Sequence, residues 1–116
     1  MAFSLSLRRP FVADHFHDLP GFQEDRHGHN WEVEATVGLT SEAEEVAFAA
    51  ALDAWVAALD YTLLNDLPAL AGRNPTAEVL AEQAFRHLQD RALWPHWVRI
   101  REKANYWALC RGAEWS

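Results

Sequence analysis

The residues of this chain best suited to chemistry are its histidines. Six occur, and His27-Gly28-His29 sets two of them two residues apart. On a strand, residues i and i+2 project from the same face, so these imidazoles converge, and Gly28 between them leaves room for a close approach. His15 lies at the end of an earlier strand-like segment that antiparallel pairing would bring beside them. Three imidazoles without a fourth protein ligand make the type of site in which zinc keeps a position open for water or substrate. Neutral imidazole suits that ion near pH 7. His17 is a rival to His15 but lies two residues farther from the strand. The same spacing also fits three surface or capping histidines in a polar loop, and the pattern alone leaves that choice open.

Positioning these rings requires a sheet. Phe3 to Arg8 alternates apolar and polar residues and reads as a strand with one buried face, and Pro10 suggests a bend or an edge. A polar stretch from Asp14 to His27 follows, with Pro20-Gly21 as a turn signal. From His27 to Val37 the odd positions are His27, His29, Trp31, Val33, Ala35 and Val37, against Gly28, Asn30, Glu32, Glu34 and Thr36. That alternation predicts a strand with one packed and one polar face. A helix over residues 44–59 carries Phe48, Leu52, Trp55, Val56 and Leu59 on one stripe. A second begins near Asn74-Pro75-Thr76, with the proline in its first turn, Glu78 at the positive end of its dipole and Leu80, Ala84 and Leu88 as its buried stripe. Pro95 ends that region. Val98 to Lys103 reads as a third strand and Tyr106 to Cys110 as a fourth, joined by a tight turn near Ala104-Asn105. The order is strand, strand, helix, helix, strand, strand. It predicts an α+β fold, a four-stranded antiparallel sheet with two helices on one face. Open sheet edges invite pairing between subunits, so an oligomer is expected.

Composition narrows the function. The 116 residues make one domain, 1–116, since domains run roughly 100–200 residues. Half are apolar, enough for a real core. A net charge of −7 and a pI near 5.2 disfavour nucleic-acid binding. The most apolar stretch, Val46 to Leu59, is interrupted by Asp53, so no transmembrane helix is expected. At the N-terminus the charges of Arg8 and Arg9 follow a short apolar run, the reverse of a signal peptide. One cysteine, Cys110, excludes an intrachain disulfide and a Cys-rich zinc site, and a cytoplasmic location is expected.

Five segments then carry a family resemblance. Phe11-Val12-Ala13-Asp14-His15 resembles the F-x-A-x-H segment of the 6-pyruvoyl-tetrahydropterin synthase and 6-carboxytetrahydropterin synthase family. His27-Gly28-His29-Asn30-Trp31 resembles its HGHN-aromatic motif. Leu59 to Asn65 is similar to its L-D-H-x-x-L-N segment, and Asn74 to Ala81 to its N-P-T-x-E-x-L-A helix start. Val98 to Glu102 resembles the hairpin segment that carries a pterin-anchoring glutamate. The resemblance implies a tunnelling fold, in which subunits join their sheets into a barrel. It also implies a homohexamer of two stacked trimers, with active sites between subunits. It further implies zinc on His15, His27 and His29, and a 7,8-dihydroneopterin triphosphate or related dihydropterin substrate converted to a 6-pyruvoyl or 6-carboxy tetrahydropterin. Glu102 would grip the 2-amino group and a ring N–H of the pterin, a charge-assisted pair that gives orientation as well as energy. Thr76 and Lys103 are the other expected substrate-binding residues, and Arg26, Arg73 and Lys103 are the candidate cations for a triphosphate.

The chain departs from the family pattern at its proton-transfer residues. The family cysteine precedes HGH by a few residues, where this chain has Gly21-Phe22-Gln23-Glu24-Asp25-Arg26. The family histidine after the helix-one aspartate is replaced, since Asp60 is followed by Tyr61. Some relatives carry a glutamate in place of the cysteine and cleave the side chain to 6-hydroxymethyl-dihydropterin. The catalytic candidates are therefore Glu24, Asp25, Asp60 and Tyr61, with burial able to raise a carboxylate's pKa into the working range. Against this stands a metal- and pterin-binding relative without catalysis. Solvated acids at Glu24 and Asp25 would favour that reading. Cys110 reads as a small hydrophobe, and His87 and His96 as helix-surface and loop residues. Trp31 and Trp55 suit the core. Trp94, Trp97, Trp107 and Trp115 suit a subunit interface.

Overall fold

The computed structural model describes residues 2–70 and 72–112. Its frame is one long antiparallel pair, β1 (Phe3–His15) and β4 (His27–Leu39), in unbroken register from Phe3 opposite Leu39 to His15 opposite His27. Between them, β2 (Asp18–Leu19) and β3 (Phe22–Gln23) form a small hairpin turned by Pro20-Gly21, with Gly21 at φ +78°. Helix α1 (Glu42–Leu59), the short β5 (Thr62–Leu63), helix α2 (Ala77–Asp90), β6 (Trp94–Lys103) and β7 (Tyr106–Arg111) follow. The main sheet has the order β5-β1-β4-β6-β7.

The α+β layout and its element order agree with the sequence reading, and several boundaries differ. The sheet has five strands, not four, because Thr62–Leu63 pairs in parallel with Ala13 and Asp14. Two residues are too few to show a period. The first strand does not bend out at Pro10. Pro10 pairs with Glu32 on one side, and its other side is an open edge where a missing N–H costs nothing. Pro95 likewise lies inside β6, whose pairing to β7 begins only at Trp97. His96 is therefore a strand residue rather than a loop residue. The first helix starts at Glu42, capped by Ser41, whose Oγ accepts the Glu44 N–H. Pro75 lies before the second helix, and Thr76 is its cap, Oγ1 accepting the Val79 N–H at 3.1 Å.

Both helices cover one sheet face. Val33, Ala35, Val37, Val98 and Ile100 from the sheet meet Phe48, Leu52, Trp55, Leu80, Ala84 and Leu88 from the helices, all buried. Trp31 stacks on Phe11 at 5.9 Å, and its Nε1 donates to the Ala13 carbonyl. The other face carries a ladder of exposed and half-buried ion pairs, Arg8 with Glu32 and Glu34, Arg99 with Glu34 and Arg101 with Glu32. Ser6 and Thr36 share a hydrogen bond beside it. Cys110 is half-buried against the core and burial pushes its thiol pKa up, as expected of a small hydrophobe. Trp31 and Trp55 are buried, Trp94 and Trp107 are exposed, and Trp115 lies outside the described residues.

Core and surface should separate cleanly in a denaturant titration. Leu80→Ala should cost about 2–5 kcal/mol, and Val46→Ala, at a 70% exposed position, should change stability by less than about 0.5 kcal/mol.

Candidate metal centre

The β1–β4 register sets His15 directly opposite His27, with His29 opposite Ala13 and on the same face. The three ring centroids lie 4.6, 4.8 and 5.1 Å apart, and one nitrogen from each ring falls within 4.8 Å of the others. A Cβ at position 28 would stand 2.6 Å from Asp14 Oδ1, so glycine there leaves room for the Asp14 side chain, on the sheet face opposite the histidines, to meet Arg26 at 2.7 Å.

The hydrogen bonds fix which nitrogens face inward. His15 Nδ1 lies 2.9 Å from the Pro75 carbonyl, and His27 Nδ1 lies 2.9 Å from the Asp25 carbonyl. A carbonyl only accepts, so both Nδ1 atoms carry the proton and both Nε2 atoms present lone pairs. His15 and His29 have buried Nε2 atoms with no hydrogen-bond partner. Leaving such an atom unsatisfied costs about 1–3 kcal/mol. Burial also lowers the pKa of both rings and keeps them neutral. Glu102 Oε1 lies 3.1 Å from His15 Nε2 and 3.6 Å from His29 Nε2 without hydrogen-bond direction. Carboxylate and imidazole lone pairs facing one another repel unless a cation lies between or beside them. The donor set fits zinc, as three imidazoles, two of which, His15 and His27, have their outer nitrogens held by backbone carbonyls.

Beside the rings is a pocket of about 230 Å³. Of the predicted residues, Glu24, His27, His29, Thr76, Glu102 and Lys103 line it. His15 closes the metal corner from within the core, fully buried. Glu24 Oε1 accepts from the His17 backbone N–H at 3.1 Å and its ring Nδ1 at 2.8 Å. Desolvation raises its pKa but these bonds outweigh it, so the carboxyl is held below its ordinary value, the reverse of the rise expected from burial. Asp25 is exposed and contributes only its carbonyl. Asp60 and Tyr61 are not beside this pocket. Asp60 Oδ1 accepts the Val12 N–H, and Tyr61, 83% exposed at φ +58°, donates its N–H to the Val12 carbonyl. Arg73 is paired with Glu82 at 3.5 Å. His17, the rival ligand, also lines the pocket but is outside the histidine cluster, and Tyr106, which has no sequence-based role, donates its hydroxyl to Glu78 at 3.0 Å. A larger, mostly apolar cavity of about 430 Å³ between α1 and α2 has its one histidine, His87, committed to the Ala51 carbonyl.

The model of the 6-pyruvoyl tetrahydropterin synthase family matches residues 4–113. The chain belongs to that family. No curated protein matches it in sequence. Solved structures share the fold of this family member at low identity. A Caenorhabditis elegans 6-pyruvoyl tetrahydropterin synthase is 15% identical, with a TM-score of 0.79 and 97% of each chain covered. The Plasmodium falciparum 6-pyruvoyl tetrahydropterin synthase is 16% identical, with a TM-score of 0.67, over 96% of this chain and 98% of its own. A Plasmodium vivax synthase variant, with cysteine replacing a glutamate described as a catalytic residue, is 14% identical, with a TM-score of 0.64, over 95% and 97%.

Two outcomes follow for the family member's histidines. His15→Ala should abolish stoichiometric zinc in metal analysis of the purified protein, and unchanged zinc would refute this centre. His15 and His29 have folded pKa values below their ordinary 6.5. Protonation therefore favours the unfolded chain, so the metal-free protein should be most stable above pH 6.5 and lose stability as pH falls below it. Urea midpoints across that range read the loss, and a flat profile contradicts it.

Proposed function

We propose that this protein is a zinc-dependent lyase acting on a dihydropterin, with 7,8-dihydroneopterin triphosphate or a close relative as substrate and Glu24 as general base. The observation that carries the reading is Glu24 lining the same pocket as His27, His29 and Glu102. His15, His27 and His29 would hold the zinc, which when bound supplies Lewis acidity to side-chain oxygens of the substrate. Glu102 would accept two N–H bonds from the pterin ring and fix its register. Thr76 lines the wall nearby, and Lys103 offers the one lysine or arginine there to a phosphate.

The chemistry follows from the residues present. No thiol lies near the pocket, and Tyr61 stands where the family has histidine, so the usual proton relay lacks two members. One carboxylate base suffices for cleavage between the first and second side-chain carbons. Glu24 takes the hydroxyl proton on the second carbon, the bond breaks toward the pterin ring, and a proton returns to the first carbon. The products are 6-hydroxymethyl-dihydropterin and an aldehyde bearing the rest of the side chain. The Plasmodium vivax synthase, whose replaced glutamate is described as a catalytic residue, supports a carboxylate in this role.

A pocket of about 230 Å³ is smaller than the 300–1,000 Å³ of most small-molecule sites. This supports a site completed by a neighbouring copy in a hexameric barrel, where Asp60 and Tyr61 from that copy would approach a pocket they do not reach in their own chain. A cytoplasmic setting, with a reduced Cys110, belongs to the same reading. No helix among the described residues is long and apolar enough to cross a membrane.

Zinc-loaded protein incubated with 7,8-dihydroneopterin triphosphate should yield 6-hydroxymethyl-dihydropterin by mass spectrometry. Glu24→Gln should lower kcat by about 10²–10⁴ with zinc retained. A 6-pyruvoyl or 6-carboxy product would overturn the cleavage reading. Tight pterin binding without turnover would leave a binding protein.

A further inference from the structure

We propose that His17 is the positioning residue for Glu24. The inference rests on Glu24 being the base. His17 and Glu24 occupy the next register step beyond Asp18 and Gln23 in the β2–β3 hairpin. The Glu24 N–H donates to the His17 carbonyl at 3.1 Å. Both return bonds, from the His17 N–H and Nδ1–H, converge on Glu24 Oε1. Among the described residues Oε2 receives no hydrogen bond, so it is the oxygen left to take a proton in the pocket.

His17 can do this because its own backbone is clamped on both sides. The Asn65 side chain accepts the Phe16 N–H at 3.0 Å and donates to the Phe16 carbonyl at 2.9 Å. The Asn74 side chain accepts the Asp18 N–H at 2.8 Å and donates to the Asp18 carbonyl at 3.4 Å. Two carboxamides thus stand in for missing strand neighbours on either side of His17. An exposed loop acid would sample many rotamers. A carboxylate with two donors on one oxygen does not, and misplacing a reacting group by about 1 Å can cost about 10²-fold in rate.

The test uses the zinc-loaded full chain with 7,8-dihydroneopterin triphosphate. His17→Ala should lower kcat by about 10- to 100-fold with KM and zinc content unchanged. His17→Asn, whose amide can donate where Nδ1 did, should recover most of it. Unchanged kcat in His17→Ala, loss of zinc in step with kcat, or failure of His17→Asn to rescue would each overturn the inference. Nitrogen NMR at fixed pH reads the contact without turnover. The Nδ1–H signal of His17 should be hydrogen-bonded in the wild type and lose that character in Glu24→Ala, and identical signals would overturn it. A wild type that turns nothing over would sink the proposed reaction, and the nitrogen signal would still decide whether His17 holds Glu24.

Discussion

The lone pairs of three imidazoles, one ring fully buried and two partly so, meet at the end of a two-stranded ladder, beside a carboxylate that no hydrogen bond joins to them. A protein gains nothing by collecting bare acceptors, and the Nε2 atoms of His15 and His29 lost their water on folding. A cation would resolve the repulsion, and the geometry around the rings is what would hold it. Thirteen consecutive pairs between β1 and β4 fix the register. A slip of one residue would turn His15 out of the core and separate it from its partners. The aromatic cluster of Phe11, Trp31 and Trp55 below makes that slip costly.

The start of α2 ties this ladder to the helices. Thr76 caps the helix, Pro75 turns its carbonyl onto His15 Nδ1, and Asn74 clamps Asp18. One tripeptide thus orients His15, begins a helix and anchors the hairpin next to Glu24. Asn65 performs the matching clamp at Phe16. The motif segments are far apart in sequence, and two of them, through Asn65 and Asn74-Pro75, fix backbone or ring orientation near the same three histidines.

Much of this was legible in the residues. The alternation from His27 to Val37 identified the central strand and its packed face, because one face is buried along its whole length. The histidine triad followed from parity and antiparallel pairing. Elements set by non-local contacts were not legible. β5 is two residues long and exists because β1 lies beside it. Pro10 and Pro95 look like breaks, yet each sits where its strand has a neighbour on one side only. The His17–Glu24 contact depends on a hairpin too short to show a period, so His17 read only as a rival metal ligand. In the structure, Asp60 and Tyr61 face the β1 edge at Val12, a placement that spacing alone does not convey.

X-ray absorption at the zinc edge of reconstituted protein addresses the convergence of the three rings most directly. Three imidazole nitrogens at about 2.0–2.1 Å with one light oxygen or nitrogen scatterer, and no sulfur shell, is the expected spectrum. A sulfur contribution near 2.3 Å, or fewer than three imidazoles, would contradict it.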